Sequence, residues 1–250
     1  MKLLVCISKT PDTTSKIAFT EGNTKFDENG VQWIINPYDE WYALVRAIEL
    51  KEKDPSAIIH LVTVGTADAE PIIRKALALG GDEAIRINTD SSDSYYIAAQ
   101  IAEVAKQGGY DLIIAGTESI DYNGGMVPGM LAGLLGFNFV NACIGIEISG
   151  TEATTIREID GGKETATSSL PLIIAGKKGL VEEKDLRIPN MRGIMTARTK
   201  ALNIVEPTSD TNATSSVKFE KPAAKSAVKL ISSDNIDELI NLLHNEAKVI

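Results

Sequence analysis

Short apolar runs alternate with amphipathic stretches through the first half of this chain. Short apolar runs bounded by glycine or polar residues are typical of buried strands, and apolar residues three or four positions apart are typical of helices. The predicted strands are Leu3–Ile7, Ile58–Val64, Ala84–Ile87 and Leu112–Ala115. Because a helical stretch follows each strand, the pattern predicts a doubly wound, mostly parallel α/β sheet with right-handed crossovers.

Local signals predict where the helices start and end. Asn36-Pro37 is a typical helix start, with Asn as the cap and Pro at the first helical position. Pro71 begins a second helix, which Gly80-Gly81 ends. Lys25–Val31 is predicted to be a small hairpin that turns at Asn29-Gly30. The predicted inward positions are Trp41, Leu44, Val45 and Ile48 in the first helix, Ile72, Ile73, Ala76 and Leu77 in the second, and Ile97, Ile101 and Val104 in a third.

The pattern changes after Gly136. Apolar and polar residues alternate in Phe139–Ile148, Ala153–Ile159 and Glu164–Thr167, which is typical of antiparallel strands. Leu170–Ala175 is one further buried strand. The parallel sheet is therefore predicted to carry an antiparallel extension.

The C-terminal part of the chain has weaker patterns. From Gly176 to Pro207 a basic stretch with Pro, Gly and Met predicts an extended arm with a short helix, and 208–227 is linker-like. A terminal amphipathic helix follows, with Ile236, Leu239, Ile240 and Leu243 on one face. Since a lone helix cannot bury that face, we expect it to dock on this chain or on another. These boundaries divide the chain into 1–176, 177–207 and 208–250.

Composition narrows the class of protein. The net charge of −9 argues against a nucleic-acid surface, which needs clustered Lys and Arg. No run is apolar and long enough to span a bilayer, and Leu3–Ile7 is too short for a signal-peptide core. Cys6 and Cys143 lie in strand-like runs, so both are expected to be buried and reduced. A soluble, cytoplasmic protein is the expectation.

The segment from Leu112 to Met130 is the most informative stretch of the sequence. A strand ends at Gly116, a glycine-rich turn follows, and Pro128 opens an apolar helical pattern. A strand, a flexible loop and a helix start together direct several backbone N–H groups at one point, where the helix dipole favours an anion. This segment alone is equally compatible with a phosphate site and with plain packing, since such turns recur across α/β sheets.

Motifs of several enzyme classes are absent. There is no G-x-G-x-x-G after the first strand, no G-x-x-x-x-G-K-[ST] and no G-x-S-x-G. His60 and His244 lack neighbours at metal-ligand spacing, so no metal site is expected. Glu118 and Asp121 could be paired carboxylates, but turn and capping hydrogen bonds are the more ordinary role. The chain is predicted to be a nucleotide-holding scaffold without a catalytic constellation of its own.

Several motifs occur along the chain in the order and spacing that are characteristic of one protein family. They are Leu3–Asp12, Ile35–Glu40, Arg74–Gly80, the 112–130 segment, Arg157–Gly162, Ser169–Pro171 and Asp185–Arg187. In order and spacing they resemble the beta subunits of electron transfer flavoproteins over nearly the whole chain. The resemblance implies an adenine-nucleotide alpha-hydrolase-like fold and a heterodimer with an alpha subunit that holds most of the FAD. It implies AMP in this subunit, or a second FAD in electron-bifurcating members.

The same resemblance implies an electron carrier without an enzymatic reaction of its own. Electrons from acyl-CoA dehydrogenases of fatty acid beta-oxidation, or from other flavin dehydrogenases, would reach the quinone pool through an electron transfer flavoprotein-quinone oxidoreductase. Two alternatives stay open. One is a bifurcating protein with a second FAD and NADH at this subunit, and the other is a stand-alone nucleotide-binding regulatory domain of the universal-stress type.

Carried over by position, the resemblance also implies the nucleotide pocket. Its residues are Cys6, Ser8, Asn36, Pro37, Tyr38, Asp39, Val64, Gly116, Thr117, Glu118, Ser119, Ile120, Asp121, Tyr122, Asn123, Gly124, Gly125, Met126 and Val127. All follow predicted strands or open helices, where an open α/β sheet binds its ligand. Cys6 and Val64 could equally be ordinary core residues that contribute backbone or shape.

The chain departs from the family inside this loop. AMP-binding relatives tend to have Asn-Gln-Thr after an acidic run, and bifurcating relatives Asp-Gly-Asp-Thr-Ala-Gln. Here Gly125, Met126 and Val127 replace side-chain donors with bare backbone, and Ser8 stands where many relatives carry Lys. The ligand is therefore left open between AMP, FAD and none, and Tyr122 could stack on a base or lie at the surface.

The arm resembles the segment that docks dehydrogenases in the family. Met191 matches the anchoring leucine, and Arg187 and Ile194 belong to the same segment. The alternative for Met191 is a place in this protein's own core. Glu158 matches a residue that restrains the mobile flavin domain through an arginine of the alpha subunit.

Overall fold

The computed structural model describes residues 1–209, 211–225 and 227–250. The strands are β1 (Lys2–Cys6), β2 (Lys9–Pro11), β3 (Phe19–Thr20), β4 (Lys25–Phe26), β5 (Trp33–Ile35), β6 (Ile58–Val64), β7 (Glu83–Ile87), β8 (Leu112–Gly116), β9 (Asn138–Ser149), β10 (Glu152–Ile159), β11 (Gly162–Ser169), β12 (Leu172–Gly176) and β13 (Leu202–Val205). The α-helices are α1 (Glu40–Lys53), α2 (Glu70–Leu79), α3 (Ser94–Gly108), α4 (Val127–Leu135), α5 (Met191–Ala197) and α6 (Ile236–Asn241).

Nine strands form one sheet in the order β11-β10-β9-β12-β8-β1-β6-β7-β13. Strands from β9 across to β13 pair in parallel, and β10 and β11 add an antiparallel extension at the other side of β9. This confirms the predicted fold class. The central strands are apolar at every position because both faces of a parallel sheet are covered. Leu3, Val5 and Ile114 pack with α1 and α2, whereas Leu4 and Ile113 pack with α3 and α4.

The order of strands creates a switch point beside β1. The chain passes from β1 through α1 to β6, continues outward to β7, and then returns through α3 to β8 on the other side of β1. The connections therefore diverge between β1 and β8. Open α/β sheets bind ligands in the crevice at the carboxyl ends of the strands that flank such a point.

Two local predictions are wrong. The hairpin expected at Asn29-Gly30 does not form, because β4 pairs with β3 across the turn at Glu21–Thr24, and β5 pairs with β2. The first helix begins at Glu40 and not at Pro37. The Asn36 side chain instead accepts a hydrogen bond from the Tyr38 amide at 3.2 Å and forms a turn before the helix.

The predicted arm contains a short helix, α5, as expected. It also contains β13, which the sequence pattern did not predict and which pairs in parallel with β7 at the edge of the main sheet. The division of the chain at residues 176 and 207 stays a prediction. In the described residues, none of the helices combines the length and apolar character that a membrane crossing needs.

The segment after β13 is tied to the body of the protein by side chains. Asp93 caps α3 by accepting from the Tyr96 amide at 2.7 Å, and its other oxygen accepts from the Thr214 amide at 2.8 Å and the Thr214 hydroxyl at 2.5 Å. Phe219 stacks on Phe19 of β3 with ring centroids 5.2 Å apart. Thr214 therefore contacts the start of α3, and Phe219 contacts the β3–β4 hairpin.

We expect Thr214→Val to loosen this segment without unfolding the sheet. The variant loses one hydrogen bond to a carboxylate, so local opening becomes easier and proteolytic nicking near residue 214 is expected to accelerate roughly two- to tenfold. Limited proteolysis followed by mass spectrometry measures the rate. Ser216→Ala, at an exposed neighbouring position, is the matched control, and equal nicking of both variants would argue against the Asp93 clamp.

Candidate functional site

The predicted pocket residues come together at the carboxyl edge of the sheet. Cys6 ends β1, Val64 ends β6 and Gly116 ends β8, and these three strands are neighbours. The start of α1 and the loop before α4 close the same edge. Cys6 is buried and its side chain packs in the core. Burial raises the pKa of its thiol, and Cys6 and Cys143 are both free and buried, as predicted.

The residues before α1 hold the start of the glycine-rich loop. The Asn36 side-chain amide donates to the Glu118 carbonyl at 2.7 Å, and the Asp39 carboxylate accepts from the Glu118 amide at 2.7 Å. Gly116 allows this approach, since a Cβ there would lie 3.0 Å from the Asp39 Cβ and 3.1 Å from the Glu40 Cγ. Asn36 and Asp39 thus hold the start of the loop through these two hydrogen bonds.

The loop then folds back on itself toward α4. The Ser119 amide donates to the Gly124 carbonyl at 2.9 Å, and a Cβ on Gly125 would lie 3.3 Å from the Thr117 carbonyl oxygen. Across residues 1–209, 211–225 and 227–250, no protein acceptor takes a hydrogen bond from the amides of residues 124–127. These amides lie at the N-terminus of a nine-residue helix, where unpaired N–H groups and the dipole favour an anion.

Large side chains of the loop are exposed. Tyr122 is 55% exposed and Met126 is 56% exposed. Tyr38 is also exposed, at the approach to α1. Unpaired backbone N–H groups and exposed aromatic rings are the kinds of group that bind anions and stack on flat rings.

Glu40 is a site residue that sequence reasoning missed. It is only 9% exposed, and its two carboxylate oxygens accept from the Ser8 amide at 2.8 Å and the Ser8 hydroxyl at 2.7 Å. Desolvation raises the pKa of its carboxyl to about 8, although the hydrogen bonds from Ser8 act in the opposite direction. A signal was present, because Glu40 lies four residues before Leu44 on the apolar stripe of the helix.

The edge is acidic, and two of its lysines are paired with carboxylates. Burial raises the pKa of Asp39, and desolvation followed by the negative charges of Asp121, Asp90 and Glu28 raises the pKa of Tyr122. Lys9 pairs with Asp68, and Lys177 pairs with Glu158 at 2.7 Å. An anion bound here would therefore depend on backbone N–H groups and hydroxyls more than on side-chain cations.

The predicted docking residues occupy different environments. Met191 begins α5 and is 73% exposed, and Ile194 is partly exposed. Arg187 forms a bidentate ion pair with Glu52 of α1, with N–O distances of 2.6 and 2.8 Å, which fixes the start of the arm on this chain. Glu158 pairs with Lys177, which lowers the pKa of the Glu158 carboxyl.

A shallow groove lies beneath α5. Its volume is about 630 Å³, and α2 and the arm line it. Gly193 brings the two helices together, because a Cβ there would fall far inside van der Waals contact with the Ala78 carbonyl oxygen at the end of α2. Arg74 of α2 also donates to the carbonyls of Ala197 and Lys200, at 2.8 and 2.7 Å. The arm is thus fixed to α2 while Met191 stays at the surface.

The two histidines have ordinary surroundings. His60 Nδ1 lies 2.9 Å from the Tyr110 hydroxyl and its Nε2 lies 3.0 Å from Glu83, while His244 faces the chain terminus. In the part of the chain that the structure describes, no group of three or more His, Cys, Asp or Glu side chains is arranged to hold a metal ion.

We expect Glu40→Gln to change how stability depends on pH. The pKa of Glu40 is higher in the folded than in the unfolded chain, so its contribution to stability is present in full below the unfolded pKa and is lost as pH rises through about 8. The difference in unfolding free energy, Glu40→Gln minus parent, should therefore increase as the pH rises from 5 to 8. The increase is at most about 1.4 kcal/mol per pH unit. Urea unfolding at several pH values tests this, and parallel curves would contradict a buried titrating carboxyl.

Comparison with known proteins agrees with the fold class. The electron transfer flavoprotein domain matches residues 23–210. Electron transfer flavoprotein subunit beta of Bacillus subtilis (strain 168) is 38% identical over 264 residues, covering all of both chains. The subunit beta of Syntrophomonas wolfei is 36% identical over 228 residues, covering 91% of this chain and 88% of the relative. The mitochondrial subunit beta of Oryza sativa subsp. japonica is 30% identical over the full length of both.

Proposed function

The chain belongs to the electron transfer flavoprotein family as a beta subunit, and from this we propose that it forms a heterodimeric electron carrier with an alpha subunit. In this proposal the alpha subunit holds most of the FAD, and this chain contributes a nucleotide-stiffened domain, an arm and a docking loop. The carrier accepts electrons from flavin dehydrogenases, such as acyl-CoA dehydrogenases, and passes them toward the quinone pool through a quinone oxidoreductase. No substrate bond is made or broken on this chain.

The nucleotide part of the proposal rests on the backbone N–H groups of residues 124–127, which we call the cradle. Its amides are free of protein acceptors in the described residues, begin α4, and lie at the switch point between β1 and β8. Asn36 and Asp39 hold the adjoining loop backbone in place. Preorganised donors at a helix start favour a phosphate, and exposed Tyr122 is available to stack on a base. We propose AMP as the ligand.

Counting the cofactors of the native complex tests this assignment. The heterodimer is purified, its ligands are released with acid, and FAD and AMP are quantified by chromatography. One FAD and one AMP per heterodimer is the expected result. Two FAD molecules, reducible by NADH, would establish an electron-bifurcating protein, and a flavin-free homodimer would indicate a stand-alone regulatory domain.

The exposed surfaces support the partner assignments. The terminal helix α6 leaves Ile236, Leu239 and Ile240 between 43% and 62% exposed. A face of this kind needs a partner, and we propose that the alpha subunit covers it. Within the arm, exposed Met191 presents a flexible thioether that can adapt to the pockets of several dehydrogenases.

We expect Met191→Ala to weaken electron transfer from dehydrogenases by roughly five- to thirtyfold in kcat/KM, as for loss of a partly buried anchor worth about 1–2 kcal/mol. The FAD content should not change, because Met191 touches neither the cradle nor the core. Steady-state assays with an acyl-CoA dehydrogenase measure the effect, and Ile17→Ala removes an exposed apolar side chain elsewhere as a control. Unchanged kinetics would remove the docking role of Met191.

A further inference from the structure

Ser8 and Glu40 form a closely matched pair at the carboxyl end of β1. Both oxygens of the Glu40 carboxylate accept from Ser8, one from the amide at 2.8 Å and the other from the hydroxyl at 2.7 Å. Ser8 is partly exposed, while Glu40 lies behind it and is buried. Ser8 is therefore the part of the pair that a ligand in the crevice can reach.

The hydroxyl of Ser8 has a single proton, so its direction depends on Glu40. When Glu40 is ionised, Ser8 donates that proton to the carboxylate and presents only lone pairs to the crevice. When Glu40 is protonated, the carboxylic acid can donate to Ser8 Oγ across the same 2.7 Å, and the Ser8 hydroxyl is free to donate outward. Only the second arrangement offers a hydrogen-bond donor to an anion.

The surroundings of Glu40 favour its neutral form when an anion binds nearby. The ionisable groups that face it are Cys6 from β1, Asp39 from the turn before α1 and Asp121 from the loop after β8. None of these is a cation, and no Lys, Arg or His within the described ranges forms an ion pair with Glu40. The negative charge of a phosphate would add to that of Asp39 and Asp121 and raise the proton affinity of Glu40 further.

We propose that Glu40 is a positioning residue of the nucleotide site that takes up one proton from solvent when a phosphate binds, and so turns the Ser8 hydroxyl toward the ligand. This inference rests on the proposed nucleotide site. No covalent bond changes other than the O–H bond formed on Glu40, and the proton returns to solvent when the ligand leaves. The amides of residues 124–127 and the Ser8 hydroxyl then contact the anion from two sides of the crevice.

The experiment measures AMP binding to the nucleotide-depleted heterodimer by titration calorimetry at pH 7, 8 and 9. The second ionisation of the AMP phosphate has a pKa of about 6, so the ligand is mostly dianionic at pH 7 and its own titration alters binding little between pH 7 and 9. We expect binding to be about tenfold weaker at pH 9 than at pH 7. Repeating the titrations in two buffers of different ionisation enthalpy should reveal the uptake of close to one proton at pH 9.

Two variants separate this role from a structural one. Glu40→Gln reproduces the protonated arrangement, since its amide can donate to Ser8 Oγ while its oxygen accepts from the Ser8 amide. It should bind AMP about as tightly at pH 9 as at pH 7, and without the proton uptake. Glu103→Gln, on the surface of α3, removes a carboxylate far from the crevice and should keep the pH dependence of the parent.

The possible outcomes are distinct. The role of Glu40 is overturned if the parent binds AMP equally tightly at pH 7 and 9. It is also overturned if Glu40→Gln keeps the pH dependence of the parent. Neither result contradicts the nucleotide site itself. If the parent does not bind AMP at any pH, both the proposed AMP site and this inference are contradicted. Proton uptake that disappears in Glu40→Gln and persists in Glu103→Gln supports the inference.

Discussion

Gly193→Ala is expected to lower kcat/KM for electron transfer from an acyl-CoA dehydrogenase by at least about tenfold. The new methyl group would overlap the carbonyl oxygen of Ala78, which is main chain and belongs to the last turn of α2. Neither side can yield by a change of rotamer, so α5 must move away from α2. Such overpacking costs roughly 1–3 kcal/mol, and the displacement carries Met191 with it.

Gly193→Ala disturbs only the contact of α5 with α2, so it should change electron transfer and no other measured property. The FAD content and AMP affinity of the heterodimer should not change, because α5 lies away from the 116–127 loop. Gly133→Ala on α4 is the matched control, since open space surrounds a Cβ at that position. A loss of activity shared by both glycine variants, or full activity in Gly193→Ala, would show that the packing of α5 on α2 does not govern docking.

Asn36→Ala is expected to weaken AMP binding roughly tenfold. The substitution removes the donor to the Glu118 carbonyl and the acceptor of the Tyr38 amide, at a position that is only 1% exposed. Leaving a buried polar group unpaired costs about 1–3 kcal/mol, and here the cost falls on the loop that leads to the cradle. Calorimetry at pH 7 measures the affinity, and urea unfolding measures a stability loss of about the same size.

A matched asparagine elsewhere gives the control. Asn138, at an exposed position of β9, donates to the Ser169 carbonyl at 3.1 Å, so Asn138→Ala breaks a comparable bond outside the crevice. It should leave AMP affinity at the parent value. If Asn36→Ala lowers stability without lowering affinity, the loop is not a determinant of binding.

The wrong predictions and the missed residue have a common physical origin. Asn29-Gly30 is a strong local hairpin signal, but β5 finds its partner in β2, which is distant in sequence, and tertiary pairing overrides the local turn. Asn36 is a good cap by composition, yet its side chain holds the loop 82 residues away. Glu40 was overlooked because a charged residue at a helix start is ordinarily solvated.

The sequence by itself determined the doubly wound sheet and the family, and it predicted at which edge of the sheet the pocket residues meet. The sheet follows from apolar periodicity, and the family follows from the order and spacing of the motifs. The meeting of the predicted pocket residues follows from the rule that loops at the carboxyl ends of neighbouring strands lie together. The tertiary structure alone decided that Glu40 is buried behind Ser8, that Arg187 is bound to Glu52, and that Gly193 brings α5 onto α2. These contacts join residues from 32 to 135 positions apart, and no local pattern encodes which side chain lies opposite another once helices and strands have packed.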